Sequence, residues 1–204
     1  MSAPDLTGLG AAFPPLGISL AAIAVGWLWA IKPVDRLDRH AAAAIHAARL
    51  PRWLDAFVAF LRPLGRSHVQ WVLILLTAVA SWRAGSVLAA AMVVCLGVER
   101  GVKVVARRPR PFLERPEMRP PPSLAPTDAS FPSGDSARAW MLATFLAAQP
   151  GCPGWLAAAG LGAACVVSFG RVRLGVHTPL DVLAGGGLGA GLGLAGGIVA
   201  GLVG

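Results

Sequence analysis

The sequence predicts an all-α fold, a six-span transmembrane helical bundle with interfacial helices between spans 1 and 2. Three observations carry that prediction. Hydrophobic residues make up 55% of the chain, and mean hydropathy is +0.64. Charged residues are 14%, against roughly 25% in a soluble domain. Apolar runs then recur along the 204 residues, several close to the ~20 residues that a spanning helix needs.

The first run, 14–31, has no basic region ahead of it, so it reads as a span rather than a cleaved signal peptide. Lys32 to Ser67 is mixed. Its stretches "RHAAAAIHAARL" and "RWLDAFVAFLR" alternate bases with apolar residues at helical spacing, as helices lying in a membrane interface do. The remaining spans are 68–82, 84–105, 134–149, 154–170 and 179–203. The second and fourth are short and call for tilt or local thinning. Turns are marked by "RAG" at 83–85, "PGCPG" at 150–154 and "TP" at 178–179. Ala106 to Phe131 carries seven prolines. These forbid a regular helix and leave an ordered cover or a flexible loop outside the bilayer. The whole chain, 1–204, reads as one domain.

In the last span Gly185, Gly189, Gly193, Gly197 and Gly201 recur every four residues. Such a stripe lets a neighbouring backbone approach closely. It suits packing inside the monomer or, alternatively, a homodimer face. The three cysteines show no spacing for zinc or a disulfide pair.

Net charge is +8. The bases flank apolar runs, so membrane lipids or a phosphate-bearing substrate fit better than nucleic acid. Three stretches place charge at the mouth of a span: "KVVARRPRP" (103–111), "FPSGDSAR" (131–138) and "GRVRLGVHTPLD" (170–181). With six spans, all three lie on one membrane side. Lys103, Arg110 and Arg171 are cations near a low-dielectric region, where charge is expensive and functional. Arginine forks match phosphate oxygens. The turn at Ser133 and Gly134 exposes amides at a helix N-terminus, an anion site, and the Ser133 hydroxyl either adds to it or caps the helix. His177 precedes Thr178-Pro179, an N-cap and first helical residue, with Asp181 placed as in a capping box. Asp181 is also placed to accept from the His177 ring and free its other nitrogen to attack.

These motifs resemble the type 2 phosphatidic acid phosphatases, the PAP2 family. The resemblance rests on Lys103 with Arg110-Pro111, on Pro132-Ser133-Gly134-Asp135, and on Gly170-Arg171 with His177 and Asp181. It implies a phosphorylated lipid as substrate. Lys103, Arg110, Arg171, Ser133 and the Gly134 amide would hold the phosphate. His177 would form a phosphohistidine, Asp181 would orient it, and no metal or other cofactor is implied. Two positions depart from the pattern. Gly170 replaces a serine. Asp135 replaces the histidine that protonates the leaving oxygen, which points towards lipid diphosphates, whose leaving group needs little protonation. A phosphotransferase using the same site and a catalytically degenerate membrane scaffold are the competing readings.

Sidedness gives two opposed expectations for what reads as a bacterial plasma-membrane protein. The family faces its site away from the cytoplasm. Seven Lys/Arg in 32–67, and seven more from Arg100 to Arg119, lie on the active side, which the positive-inside rule assigns to the cytoplasm.

Overall fold

The computed structural model describes residues 10–203, and everything below concerns those residues. They form helices joined by short turns, with no strand among them. The helices are α1 (Phe13–Gly26), α2 (Lys32–Ala47), α3 (Arg52–Leu61), α4 (Ser67–Ala80), α5 (Trp82–Ala106), α6 (Pro111–Glu114), α7 (Gly134–Ala147), α8 (Gly154–Arg173) and α9 (Pro179–Val203). A 3-10 turn over Trp27–Ala30 extends α1, and another over Arg62–Gly65 links α3 to α4.

Sequence explains the boundaries. Prolines open α1, α2 and α6 in their first turns, where the missing N–H has no partner to lose. Ser81 caps α5, its Oγ accepting from the Ala84 amide at 3.3 Å. Arg107 ends α5 in the left-handed region, with φ 46°. Thr178 and Asp181 close the predicted capping box. Asp181 Oδ2 accepts from the Thr178 amide at 2.9 Å, and Thr178 Oγ1 accepts from the Asp181 amide at 3.4 Å.

Three helical stretches are long and apolar enough to cross a membrane: Gly10–Ala30, Gly154–Arg173 and Pro179–Leu202. The outward faces of α1, α4, α5 and α8 expose large apolar side chains such as Leu20, Leu75, Val79, Val105 and Trp155. So much exposed hydrocarbon is a surface for lipid rather than water, and the chain is an integral membrane protein. Two helices at predicted span positions fall short. α4 and α7 have 14 residues each, or about 21 Å at 1.5 Å per residue. α5 is long but carries Glu99, Arg100 and Lys103 in its last two turns.

α9 is the hub. It packs on α7, α1 and α5 around a core of Leu88, Met92, Met141, Phe145 and Leu188. Its glycine stripe makes this possible. A Cβ at Gly189 would meet the Ala137 carbonyl oxygen of α7, and one at Gly193 would meet the Met141 carbonyl oxygen. Gly185 and Gly197 lie against Ser133 and Ala148 in the same way. The stripe is therefore used for packing inside the monomer.

The two helices predicted between spans 1 and 2 form, as α2 and α3, and α2 is not only a surface element. Its Ala42 is fully buried against a cluster that includes Phe112, Met118, Val172 and Val176. The proline-rich segment is an ordered cover. It holds one helical turn, α6, and two 3-10 turns at Pro116–Met118 and Pro122–Leu124. Each begins on a proline, a position the expectation of no helix overlooked.

Gly189→Val should force α7 away from α9 and lower the thermal midpoint in detergent sharply, or prevent recovery of folded protein. Gly162, on α8, has nothing within 4 Å of a built Cβ. Gly162→Ala should leave the midpoint within a few degrees of the parent.

Candidate active site

The three charged stretches converge at one end of the bundle. The end of α5 supplies Lys103, and the segment after it supplies Arg108 and Arg110. The start of α7 supplies Ser133, Gly134, Asp135 and Arg138. The end of α8 supplies Arg171, and the connection to α9 supplies His177. Asp181 comes from the first turn of α9.

His177 is almost completely buried. Arg110 Nη1 donates to its Nε2 at 3.2 Å. An arginine has no lone pair to offer, so Nε2 is the acceptor and the ring proton sits on Nδ1. Nδ1 faces Asp181 Oδ2 across 3.5 Å, too long for a hydrogen bond, and it has no partner among the described residues. Burial, reinforced by the adjacent Arg110 guanidinium, pushes the imidazole down to about 3. It is therefore neutral at ordinary pH, with a lone pair on the side of the cations.

Asp181 is held by donors other than His177. Oδ1 accepts from Arg108 Nη1 at 2.8 Å, and Oδ2 accepts from the Ser130 hydroxyl and the Thr178 amide. Its backbone carbonyl accepts from the Ser133 amide at 2.9 Å. The carboxylate is thus fixed by three donors before the imidazole is considered.

Arg108 was not singled out by the sequence. Its side chain is fully buried. Nη1 donates to Thr178 Oγ1 and Asp181, while Nη2 donates to Asp35 Oδ1 at 2.5 Å and Asp38 Oδ2 at 2.8 Å. Its guanidinium carbon lies 5.3 Å from the Trp29 ring centroid, a cation–π contact. The only sequence signal was Asp35 and Asp38 at i, i+3 on one face of α2. Asp38 also accepts from the Leu180 amide at 3.0 Å, tying α2 to the start of α9.

The cations expected from the sequence to hold phosphate are paired with carboxylates. Lys103 Nζ donates to Glu99 Oε1 at 2.7 Å and to Asp128 Oδ2 at 2.6 Å. Arg110 Nη2 donates to Asp128 Oδ1 at 2.5 Å, and its Nε donates to the Asp128 carbonyl at 2.8 Å. Partial burial would raise the Asp128 carboxyl, but Lys103 and Arg110 outweigh it and hold the group down at about 2. Glu99 lies directly against Gly134, at the α7 N-terminus expected to receive phosphate. Ser133 is the N-cap of α7 but makes no side-chain cap bond; its hydroxyl accepts from Ser136 Oγ at 3.1 Å.

Asp135 is held as an ion-pair partner. Oδ1 accepts from Arg138 Nη2 at 2.7 Å, and Oδ2 pairs with Arg171 Nη1 at 3.0 Å. Arg138 also binds Glu99 at 2.8 Å and the Gly65 carbonyl at 2.8 Å. A carboxylate accepting from two guanidiniums anchors both of them. Gly170 lies close to Val58, whose Cγ1 would stand 2.7 Å from a built Cβ. The serine expected there by family resemblance has no room without a shift of the Val58 side chain.

Fold and site together define a class: a membrane helical bundle carrying a buried neutral histidine among arginines and a lysine at one end. The family model of the PAP2 superfamily matches residues 71–199, and the chain belongs to that superfamily. It is 33% identical over 136 residues to an undecaprenyl-diphosphatase of Sulfolobus acidocaldarius, a match covering 65% of this chain and 64% of that one. The match therefore spans less than two thirds of the relative's length. The fold resembles the crystal structure of a transmembrane PAP2-type phosphatidylglycerolphosphate phosphatase from Bacillus subtilis. There the TM-score is 0.73 at 22% identity, covering 88% of this chain and 92% of that one. It also resembles LpxE of Aquifex aeolicus, with TM-score 0.60 at 27% identity, over 80% and 94% of the two chains.

Arg108→Ala would leave Asp35, Asp38 and Asp181 buried without their shared cation. Breaking a buried pair from one side typically costs ~3–5 kcal/mol, so this variant should unfold at markedly lower denaturant or temperature. Arg108→Lys should recover only part of the loss, because one ammonium cannot replace the planar fork. Equal stability of all three proteins would refute the assignment of a structural role.

Proposed function

We propose that this chain is a lipid phosphate or diphosphate phosphatase that works through a phosphohistidine on His177. The observation that carries the reading is the meeting of Arg110 and Arg171 with the unprotonated nitrogen of a buried histidine, with Lys103 joined to Arg110 through Asp128. Arg110 already donates to that nitrogen at 3.2 Å, and Arg171 is near enough for its charge to act on both Arg110 and His177. The family assignment and the diphosphatase relative support it.

The chemistry runs as follows. His177 Nε2 attacks the terminal phosphorus, and the P–O bond to the rest of the lipid breaks with its electron pair going to the leaving oxygen. Arg110, Arg171 and Lys103 offset the charge on the phosphoryl oxygens, while Asp181 stabilises the Nδ1 proton as the ring gains positive character. Water then attacks the phosphohistidine, releasing phosphate and restoring the imidazole. The alkyl part of the substrate has a place nearby. An apolar groove of about 540 Å³ begins at Pro179 and Val182 and continues past Trp140, Cys165 and Ile18.

Asp135 decides the substrate class in this reading. Without a proton donor at the second motif, an alkoxide leaves poorly. The phosphate left by cleavage of a diphosphate, with a second pKa near ~6, leaves readily. Lipid diphosphates such as prenyl diphosphates are therefore preferred over phosphatidic acid. The reading also takes 1–204 as one domain in which α1, α4, α5, α7, α8 and α9 all cross the bilayer.

His177→Ala should abolish turnover of a prenyl diphosphate while leaving an extractable, folded protein, and wild type should trap acid-labile phosphate. Asp135→His should raise phosphatidic acid turnover at least tenfold more than diphosphate turnover, since a general acid contributes about 10²–10⁴ in rate. Efficient hydrolysis of phosphatidic acid by wild type would refute the preference. No activity on either substrate would favour the degenerate scaffold.

The active end belongs on the outer face of a bacterial plasma membrane in this proposal. Several bases on that side have work unrelated to topology: Arg39 pairs with Asp35 and Glu114, and Lys103, Arg108 and Arg110 belong to the site. A cysteine introduced within 114–126 should react with a membrane-impermeant thiol reagent in intact cells. Protection until the cells are broken would place the site inside.

A further inference from the structure

The acids that answer the site cations are not alike. Glu99 has a side chain only 8% exposed and is wedged between Lys103, Arg138 and Gly134. Asp135 is 15% exposed and joins two helices through Arg138 and Arg171. Asp128 is 53% exposed, although its partners Lys103 and Arg110 are 11% and 3% exposed. The Asp128 carboxylate therefore forms the solvent side of two otherwise enclosed cations. It bridges them with one oxygen each, at 2.6 Å to Lys103 and 2.5 Å to Arg110, as two oxygens of a phosphoryl group would.

We propose that Asp128 is a built-in competitor for the phosphate-binding cations and so sets the affinity threshold that a phosphate ligand has to overcome. This rests on the reading of Lys103 and Arg110 as phosphate-binding groups. A ligand phosphate reaching them from solvent has to displace the carboxylate. The fold permits this without loss of the loop. The backbone carbonyls of Asp128 and Ala129 accept from Arg110 independently of the side chain, at 2.8 and 3.3 Å. The Ser130 amide holds the Arg108 carbonyl at 2.9 Å. Rotation about the Asp128 side-chain bonds is enough to vacate the bridge. The same displacement frees an Arg110 fork that at present is shared between Asp128 and His177.

Any phosphate that binds these cations bears the same displacement cost, against a carboxylate tethered in place at high effective concentration. Asp128 thus lowers the affinity for phosphate ligands alike, and it takes no part in bond breaking.

The test is inorganic phosphate binding to the detergent-solubilised full chain, by calorimetry and by inhibition of prenyl diphosphate hydrolysis. Asp128→Asn should bind phosphate about tenfold more tightly than wild type, and Asp128→Glu should stay close to wild type. KM for a prenyl diphosphate should fall in Asp128→Asn as well, by a factor similar to the gain in phosphate binding. Unchanged or weaker phosphate binding in a folded Asp128→Asn would overturn the proposal, showing that the carboxylate positions the cations or only anchors the loop. If phosphate neither binds nor inhibits any of the three proteins, the phosphate-site reading itself fails and takes this proposal with it. Phosphate binding to wild type with an unaltered Asn variant removes the competitor alone.

Discussion

The structure depends on a single buried guanidinium. Arg108 is shared by Asp35 and Asp38 of α2 and by Asp181 of α9, three carboxylates drawn from opposite ends of the chain. An arginine enclosed in protein at the end of a membrane bundle is stable only when its charge is answered and its N–H groups are used. That requirement fixes where α2 sits, which fixes the cover built on Phe112 and Met118, and it holds the acid behind His177. Arg107, at positive φ, is the turn that delivers Arg108 inward rather than towards solvent.

The remaining charges follow the same logic one layer further out. Lys103, Arg110, Arg138 and Arg171 repel one another, and water cannot reach most of them. Glu99, Asp128 and Asp135 keep that group together. These acids differ in exposure: Glu99 and Asp135 are enclosed, and Asp128 is open to solvent. In the proposed reading the enclosed acids are structural and the open one gives way to phosphate.

Much of this was legible in the sequence, and what was missed has a common cause. The helix positions followed from apolar runs and prolines. The convergence of Lys103, Arg110, Arg171 and His177 followed from alternating spans, and the Thr178–Asp181 box from local spacing. All of these are periodic or short-range signals. Arg108, Asp128 and Glu99 were missed because their pairing is with residues far along the chain, or because they sit among stronger neighbours. "RRPR" contains three arginines, and nothing local says that the second one points inward. Asp35 and Asp38 read as the polar face of a surface helix, and only the fold turns that face towards α9. The glycine stripe was legible as a close-packing surface, but its partner, α7, was not.

The shortness of α4 has a mechanical consequence for the surrounding lipid. Its 14 residues reach about 21 Å, and a hydrocarbon core is about 30 Å thick. Val72, Leu75, Leu76 and Val79 face outward, so this flank meets acyl chains rather than protein. With α4 crossing as proposed, the bilayer along that side is pinched, at a cost of fractions of a kcal/mol per Å of mismatch. The neighbouring long helix, α5, asks for normal thickness. The protein then carries a one-sided dent in its lipid annulus, where acyl chains are splayed and headgroups ride lower than elsewhere on its perimeter.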